Sequence, residues 1–186
     1  MKSRLPELTD TNINPEQRRV LDAILKGPRG NLDGPFLAWV HSPGLADQAQ
    51  QLGAYCRYHT NMPLRLSELA ILVTAQWWKS QAEWQIHEPI AHTAGISKAV
   101  TEALRQGQQP VFTEMDEELV YRIGTELYAT RRINSDLYRQ ATEAFGEPAL
   151  VELVGIYGYY ALVAMTLNVF AVDRETGAEL PFSEPV

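Results

Sequence analysis

Apolar residues recur at intervals of three and four along most of this chain, and no sustained run alternates with period two, so the pattern predicts an all-α protein. NPEQRRVLDAIL opens with Asn14 as N-cap and Pro15 at the first helical position, and carries Val20, Leu21, Ile24 and Leu25 on one face. KGPRGNLDGP is loop by its Gly and Pro content. A short apolar turn follows over 36–41, then PGLADQAQQLGAYCRYHT, a helix expected to turn Leu45, Ala49, Leu52 and Tyr55 or Cys56 inward. MPLRLSELAILVTAQWWKS starts a strong helix at Pro63. AEWQIHEPIAHTAG gives the next, kinked at Pro89 and capped at Gly95. SKAVTEALRQG (Ser97 as N-cap, Gly107 as stop), DEELVYRIGTELYATRR, NSDLYRQATEAFG and the segment 149–172 complete the set. The organisation read from this is an N-terminal helical arm over 1–30, one all-helical domain over 31–172, and a polar tail over 173–186 that is flexible or wraps a partner. SELAILVTAQ and VELVGIYGYY both run Glu-Leu into an apolar helix, a faint internal symmetry.

Composition narrows the partners. A chain of 186 residues with 45% hydrophobic and 21% charged positions can bury a core, which removes disorder from consideration. The formal charge of −7 and the lack of a basic run argue against nucleic acid, leaving a small molecule or further copies of the chain. The single Cys56 makes neither an intrachain disulfide nor a multi-cysteine metal site, and MKSRLPELTD lacks the apolar run of a secretory signal; both favour a cytoplasmic setting. Residues 153–172 hold twenty uncharged positions, enough to span a bilayer. Three tyrosines, a central Thr and Asn, acidic flanks at Glu152 and Asp173 and no clustered Lys or Arg favour a helix buried in the core or in a subunit interface instead, with no membrane partner. Gly155, Gly158 and Ala161 on that helix would admit another helix closely.

The chemistry gathers in two helices. Glu68 shares a stripe with Leu64, Ile71, Leu72 and Ala75, which points a carboxylate at the apolar side, or at the edge of the core, where it would complement the helix dipole. His87 shares one with Trp84, Ile90, Ala91 and Ala94, and Glu83 lies one turn before it. Two carboxylates and an imidazole form an acid/base set if they meet. On one straight helix Glu68 and His87 would be about 28 Å apart, so the chain has to break between them, and Ser80 with Glu83 three residues on supplies a capping-box pattern at that place. A metal site of Glu68, Glu83, His87 and His92 is disfavoured because His92 lies about 140° around the helix from His87; no metal is expected.

The ordered set RLSELAILVTAQWWKSQAEWQIHEPIAHTAGIS resembles the carboxymuconolactone decarboxylase family, which includes the alkyl hydroperoxidase D-like proteins: a glutamate in an apolar helix, a gap, then Glu-Trp-x-x-His and an Ala/Gly-rich helix end. The resemblance covers residues 45–110 well. It implies an alkyl hydroperoxidase D-like helical fold assembled as a homotrimer or homohexamer, with the active site near a subunit boundary. In the family's peroxidase branch a Cys-x-x-Cys pair is oxidised and reduced while a glutamate and a histidine relay protons. Here those proton-relay positions are Glu68 and His87, and the cysteine positions are Ser80 and Glu83, which form neither a sulfenate nor a disulfide. The decarboxylase branch uses acid/base side chains without thiol or cofactor. That implies His87 as proton donor or acceptor, Glu83 orienting it, and Glu68 holding the relay or a water. Trp78, Trp84, Tyr157 and Tyr160 would wall the site and bind substrate, with Arg57 and Arg65 the nearest cations for a carboxylate.

Three functions compete on this reading: a cofactor-independent lyase or isomerase acting on a small carboxylated or lactone-like metabolite, a thiol peroxidase, and a non-catalytic helical oligomer that keeps the pocket for a ligand.

Overall fold

The computed structural model of the chain describes residues 3–172 and 180–183, and over them the protein is all-helical. Eight helices follow in order among the described residues: α1 Pro15–Lys26, α2 Phe36–Trp39, α3 Pro43–Tyr58, α4 Leu64–Trp78, α5 Gln81–Ala94, α6 Lys98–Arg105, α7 Met115–Thr130 and α8 Ser135–Phe170. Helix α4 is the axis. Every residue from Leu66 to Ala75 on it is buried, because α5, α6, α7 and α8 all pack around it. A helix apolar on all sides belongs inside a bundle, and the unbroken LAILV run provides such a helix.

Local chemistry sets the ends of these elements. Asn14 caps α1 and exchanges side-chain and backbone hydrogen bonds with Gln17 in a capping box, with Pro15 at the first position. Ser97 and Asn134 accept from Val100 and Leu137 at the starts of α6 and α8. Helix α8 is two helical segments joined at Gly146, whose φ of 77° lies outside the helical region, which agrees with separate helices before and after that residue. Pro89 lies within α5, which continues to Ala94 and stops at Gly95 in the left-handed conformation.

The expected N-terminal arm is docked onto the domain: Val20, Leu21 and Ile24 belong to the same core cluster as α4 and α8. Leu25, expected on that inward face, is exposed. Most of the expected tail lies outside the described residues, but 180–183 fold back onto the molecule. The buried Gln81 side chain bonds both backbone groups of Phe182 (2.6 and 2.9 Å), and the Phe182 ring packs edge-on against Trp84. The apolar stretch of α8 is long enough to cross a membrane by length and composition, and 56% of its most apolar window is buried inside the protein.

Helix α3 departs most from expectation. Leu45, Leu52 and Tyr55 are 48%, 50% and 45% exposed, and the side facing in is Ala46, Ala49, Gly53 and Cys56. Both stripes have helical spacing; contact distance decides between them. At Gly53 a β-carbon would stand 2.0 Å from the Tyr159 hydroxyl and 2.9 Å from Arg29 Nη2, so the closely approached face has to be the small one. Gly53→Ala is expected to destabilise the protein by about 1–3 kcal/mol through overpacking, despite a gain of about 1 kcal/mol in helix propensity. Chemical denaturation measures this, and an unchanged or raised midpoint would show that Tyr159 and Arg29 do not depend on that gap.

Candidate functional site

The turn between α4 and α5 makes the site. Lys79 takes the left-handed conformation (φ 50°) and closes α4, Ser80 starts α5, and the chain folds back so that the two helices pack along their length. Ser80 occupies the N-cap position, but its hydroxyl makes no capping hydrogen bond and is buried without a partner, so the capping box expected with Glu83 is not formed. Folding back brings Glu68 of α4 opposite His87 of α5. Glu68 Oε2 and His87 Nδ1 are 2.6 Å apart, with the residues 1% and 5% exposed. The orienting carboxylate is thus Glu68, from the neighbouring helix, and not the Glu83 expected from its position one turn earlier.

Glu83 is as deeply buried as Glu68, and neither of its oxygens has a hydrogen-bond partner. Burial pushes its carboxyl well above its ordinary value of 4.5, and the nearby Ser80 hydroxyl offsets only part of that. Over Glu83 and His87 lies a pocket partly open to solvent, about 340 Å³ with the open solvent at its mouth included. Arg29, Arg57, Ile86, Tyr159, Tyr160 and Val163 contribute to its lining. The Tyr160 ring meets the imidazole edge-to-face at 5.2 Å, and the Tyr160 hydroxyl is buried and unpartnered, its acidity suppressed chiefly by burial.

Of the four expected wall residues, only Tyr160 lines this pocket. Tyr157 turns toward α7, where its hydroxyl donates to the Val120 carbonyl at 2.7 Å and its ring occupies the space left by Gly124. Trp84 is fully buried against Phe182, and Trp78 lies at the end of α4, where its carbonyl accepts from Asn168. Tyr159 lines the pocket in their place. Arg65 is committed elsewhere, bridging α4 to Asp116 and Glu117 at the start of α7. Arg57 does line the pocket, joined by Arg29, which sequence reasoning passed over inside a Gly/Pro loop. His92 bonds to Thr101 at 2.9 Å, away from the site. Cys56 is buried on α3, its thiol pushed up to about 11 by desolvation first and by Glu152 second, so it is a poor thiolate.

Unpaired buried polar groups concentrate here. Arg29 Nε and Nη2, both Glu83 oxygens and the Tyr160 hydroxyl all belong to residues lining one pocket. Buried polar atoms are ordinarily satisfied, so a cluster of unsatisfied ones beside a cavity is what a binding site presents to its ligand. Trp78, Ser80, Trp84 and Gln85 also carry unpaired atoms but do not line it. No protein-family model matches the chain, and no curated protein matches it.

Glu83 has a consequence for stability. In the unfolded chain it ionises near 4.5, while the folded protein holds the proton to well above that, so its contribution is fully present below about pH 4.5 and is lost as pH rises toward the folded value. The loss runs at up to about 1.4 kcal/mol per pH unit. Glu83→Gln, which keeps the neutral shape, is expected to unfold with a flatter pH dependence than wild type as pH rises above about 4.5. Parallel slopes in denaturant titrations across that range would mean that Glu83 is ionised in the fold.

Proposed function

We propose that this chain is a carboxymuconolactone decarboxylase-like protein that carries out acid/base catalysis, decarboxylation or isomerisation, on a small carboxylated or lactone-like metabolite without a cofactor. The observation that supports this most is the Glu68–His87 hydrogen bond beside a buried, unpartnered Glu83 at one pocket.

The two carboxyl groups have different environments and therefore suit different roles. Glu68 accepts from His87; with Glu68 ionised, Nδ1 carries the hydrogen and Nε2 keeps its lone pair. Nε2 has no partner among the described residues and is the proton acceptor. Glu83, held neutral by burial, is the proton donor. An isomerisation would use the pair in sequence, one taking a proton from carbon and the other returning one. In a decarboxylation the carbon–carbon bond to the carboxylate breaks, its electron pair remains on the conjugated carbon, and Glu83 supplies the proton that quenches it. Tyr159, Tyr160, Ile86 and Val163 limit water around that carbon.

Proton transfer to carbon can be followed without knowing the substrate, by NMR of deuterium incorporation and CO2 release across a panel of lactone acids and oxo acids. His87→Gln is expected to lower such turnover by about 10²-fold or more, Glu68→Gln to lower it through loss of the tautomer it fixes, and Cys56→Ser to leave it unchanged. A hydroperoxide-reducing activity that disappears in Cys56→Ser would replace this reading with a one-cysteine peroxidase. Variants all indistinguishable from wild type would make the constellation structural.

We extend the proposal to a cytoplasmic homotrimer or homohexamer. Leu45, Leu52 and Tyr55 on α3, and Val151, Val154 and Val169 on α8, are large apolar side chains left exposed on the single chain, more than a monomer comfortably shows to water. Light scattering at micromolar concentration is expected to give a trimer or larger, and a monomer would overturn the assembly.

A further inference from the structure

Two arginines meet at the pocket without a counter-ion. Arg29 comes from the loop between α1 and α2, with its guanidinium carbon 4.9 Å from the Phe36 ring centre and 6.0 Å from that of Tyr58. Arg57, near the end of α3, has its own 5.6 Å from the same Tyr58 ring. Packing against rings occupies the faces of a guanidinium and leaves its in-plane N–H donors free. On Arg29, Nε and Nη2 are buried with no partner. Among the described residues neither arginine forms an ion pair, whereas Arg18, Arg19, Arg65 and Arg139 all do. Two carboxyl side chains share the lining. Asp33 is exposed and bonds to neither arginine, and Glu83 is buried and forms no ion pair among the described residues. Gly53 keeps the space into which Arg29 Nη2 reaches.

Like charges near one ring, with two donors of Arg29 withdrawn from water and unmatched, are stabilised when an anion lies beside them. We infer that Arg29 and Arg57 clamp a carboxylate that the ligand keeps throughout the reaction, so that the pocket takes a small organic acid whose reacting carbon is a different atom, presented to His87 and Glu83. The planar fork of each arginine fits a carboxylate bidentately. A carboxylate held this way is stabilised as the anion, and losing it as CO2 would forfeit that stabilisation in the transition state, so the clamped group is the one retained. The inference rests on the reading that this pocket binds substrate, and binding measured apart from turnover separates the two.

The test titrates the full-length protein calorimetrically with succinate, neutral dimethyl succinate and inorganic phosphate. Succinate is expected to bind, the diester and phosphate to bind at least about tenfold more weakly, and Arg29→Gln or Arg57→Gln each to weaken succinate by about tenfold or more. Arg57→Lys is expected not to restore it, since the fork is lost. Asp33→Asn, an exposed change, is expected to tighten binding. If Arg29→Gln fails to fold by circular dichroism, Arg57→Gln and Asp33→Asn carry the decision. Succinate affinity unaltered in the arginine variants, no succinate binding, or equal affinity for phosphate or the diester overturns the clamp, even where His87-dependent turnover is found. Arginine-dependent succinate binding without any turnover leaves the clamp standing and removes the catalytic reading alone.

Discussion

A carboxylate and an imidazole, both withdrawn from water, are tolerable at the centre of this bundle because each satisfies the other. Glu68 is on the most buried helix of the protein, where an unpaired charge would cost several kcal/mol. His87 reaches it only if α5 doubles back on α4, which the left-handed Lys79 and the buried Ser80 accomplish in a two-residue turn. The bond therefore ties the geometry of the candidate site to topology: a different pairing of α4 would strand Glu68. Around this contact the aromatic series Trp39, Tyr159, Tyr160 and His87 continues edge-to-face, each pair between 5.2 and 6.0 Å, and Trp39 is fixed in turn to Thr166 of α8 at 2.8 Å. The ring that faces the imidazole thus belongs to a chain of ring contacts that runs through α2, α8 and α5.

Much of this was legible from spacing. Helical periodicity and end signals located the elements, including Asn14, Ser97 and Gly95 at helix boundaries, and the distance argument between Glu68 and His87 required the break that occurs. What the pattern could not decide was which of two adjacent stripes faces in. On α3 the larger residues point outward because Tyr159 and Arg29 come too close for anything but glycine, and that is a fact about another helix and a loop. The same limit explains Tyr157 and Tyr160, three residues apart on α8 yet directed to α7 and to the pocket respectively. Arg29 carried no local signal, since a loop arginine defaults to solvent and only its position over Phe36 distinguishes it. Glu83 was found for its neighbour one turn on, but the partner of His87 came from nineteen residues back.

Half of the buried polar atoms left unmatched among the described residues belong to residues of one pocket, although the chain satisfies others readily. Gln81 completes both hydrogen bonds of Phe182, Thr74 and Tyr128 bond to each other, and Glu152 receives Tyr55 and Asn61. A fold that can pair buried polar atoms elsewhere bears a destabilising cost by leaving Glu83, Tyr160 and Arg29 unpaired together. Such a cost is expected where groups are held ready for a ligand instead of for one another.

The residues at the turn also decide what kind of transfer the site can perform. Disulfide-relay chemistry of the Cys-x-x-Cys kind needs two sulfurs within bonding reach, one to be oxidised and one to resolve it. The chain has a single cysteine, buried on α3 with its thiol shifted away from ionisation, while the start of α5 offers a hydroxyl and a carboxyl. Neither of those groups stores electrons, but a carboxyl kept neutral by burial stores a proton, and an imidazole oriented through Nδ1 can receive one. Desolvation opposes charge on both Cys56 and Glu83: it withholds the nucleophilic form of the thiol and preserves the protonated form of the carboxyl.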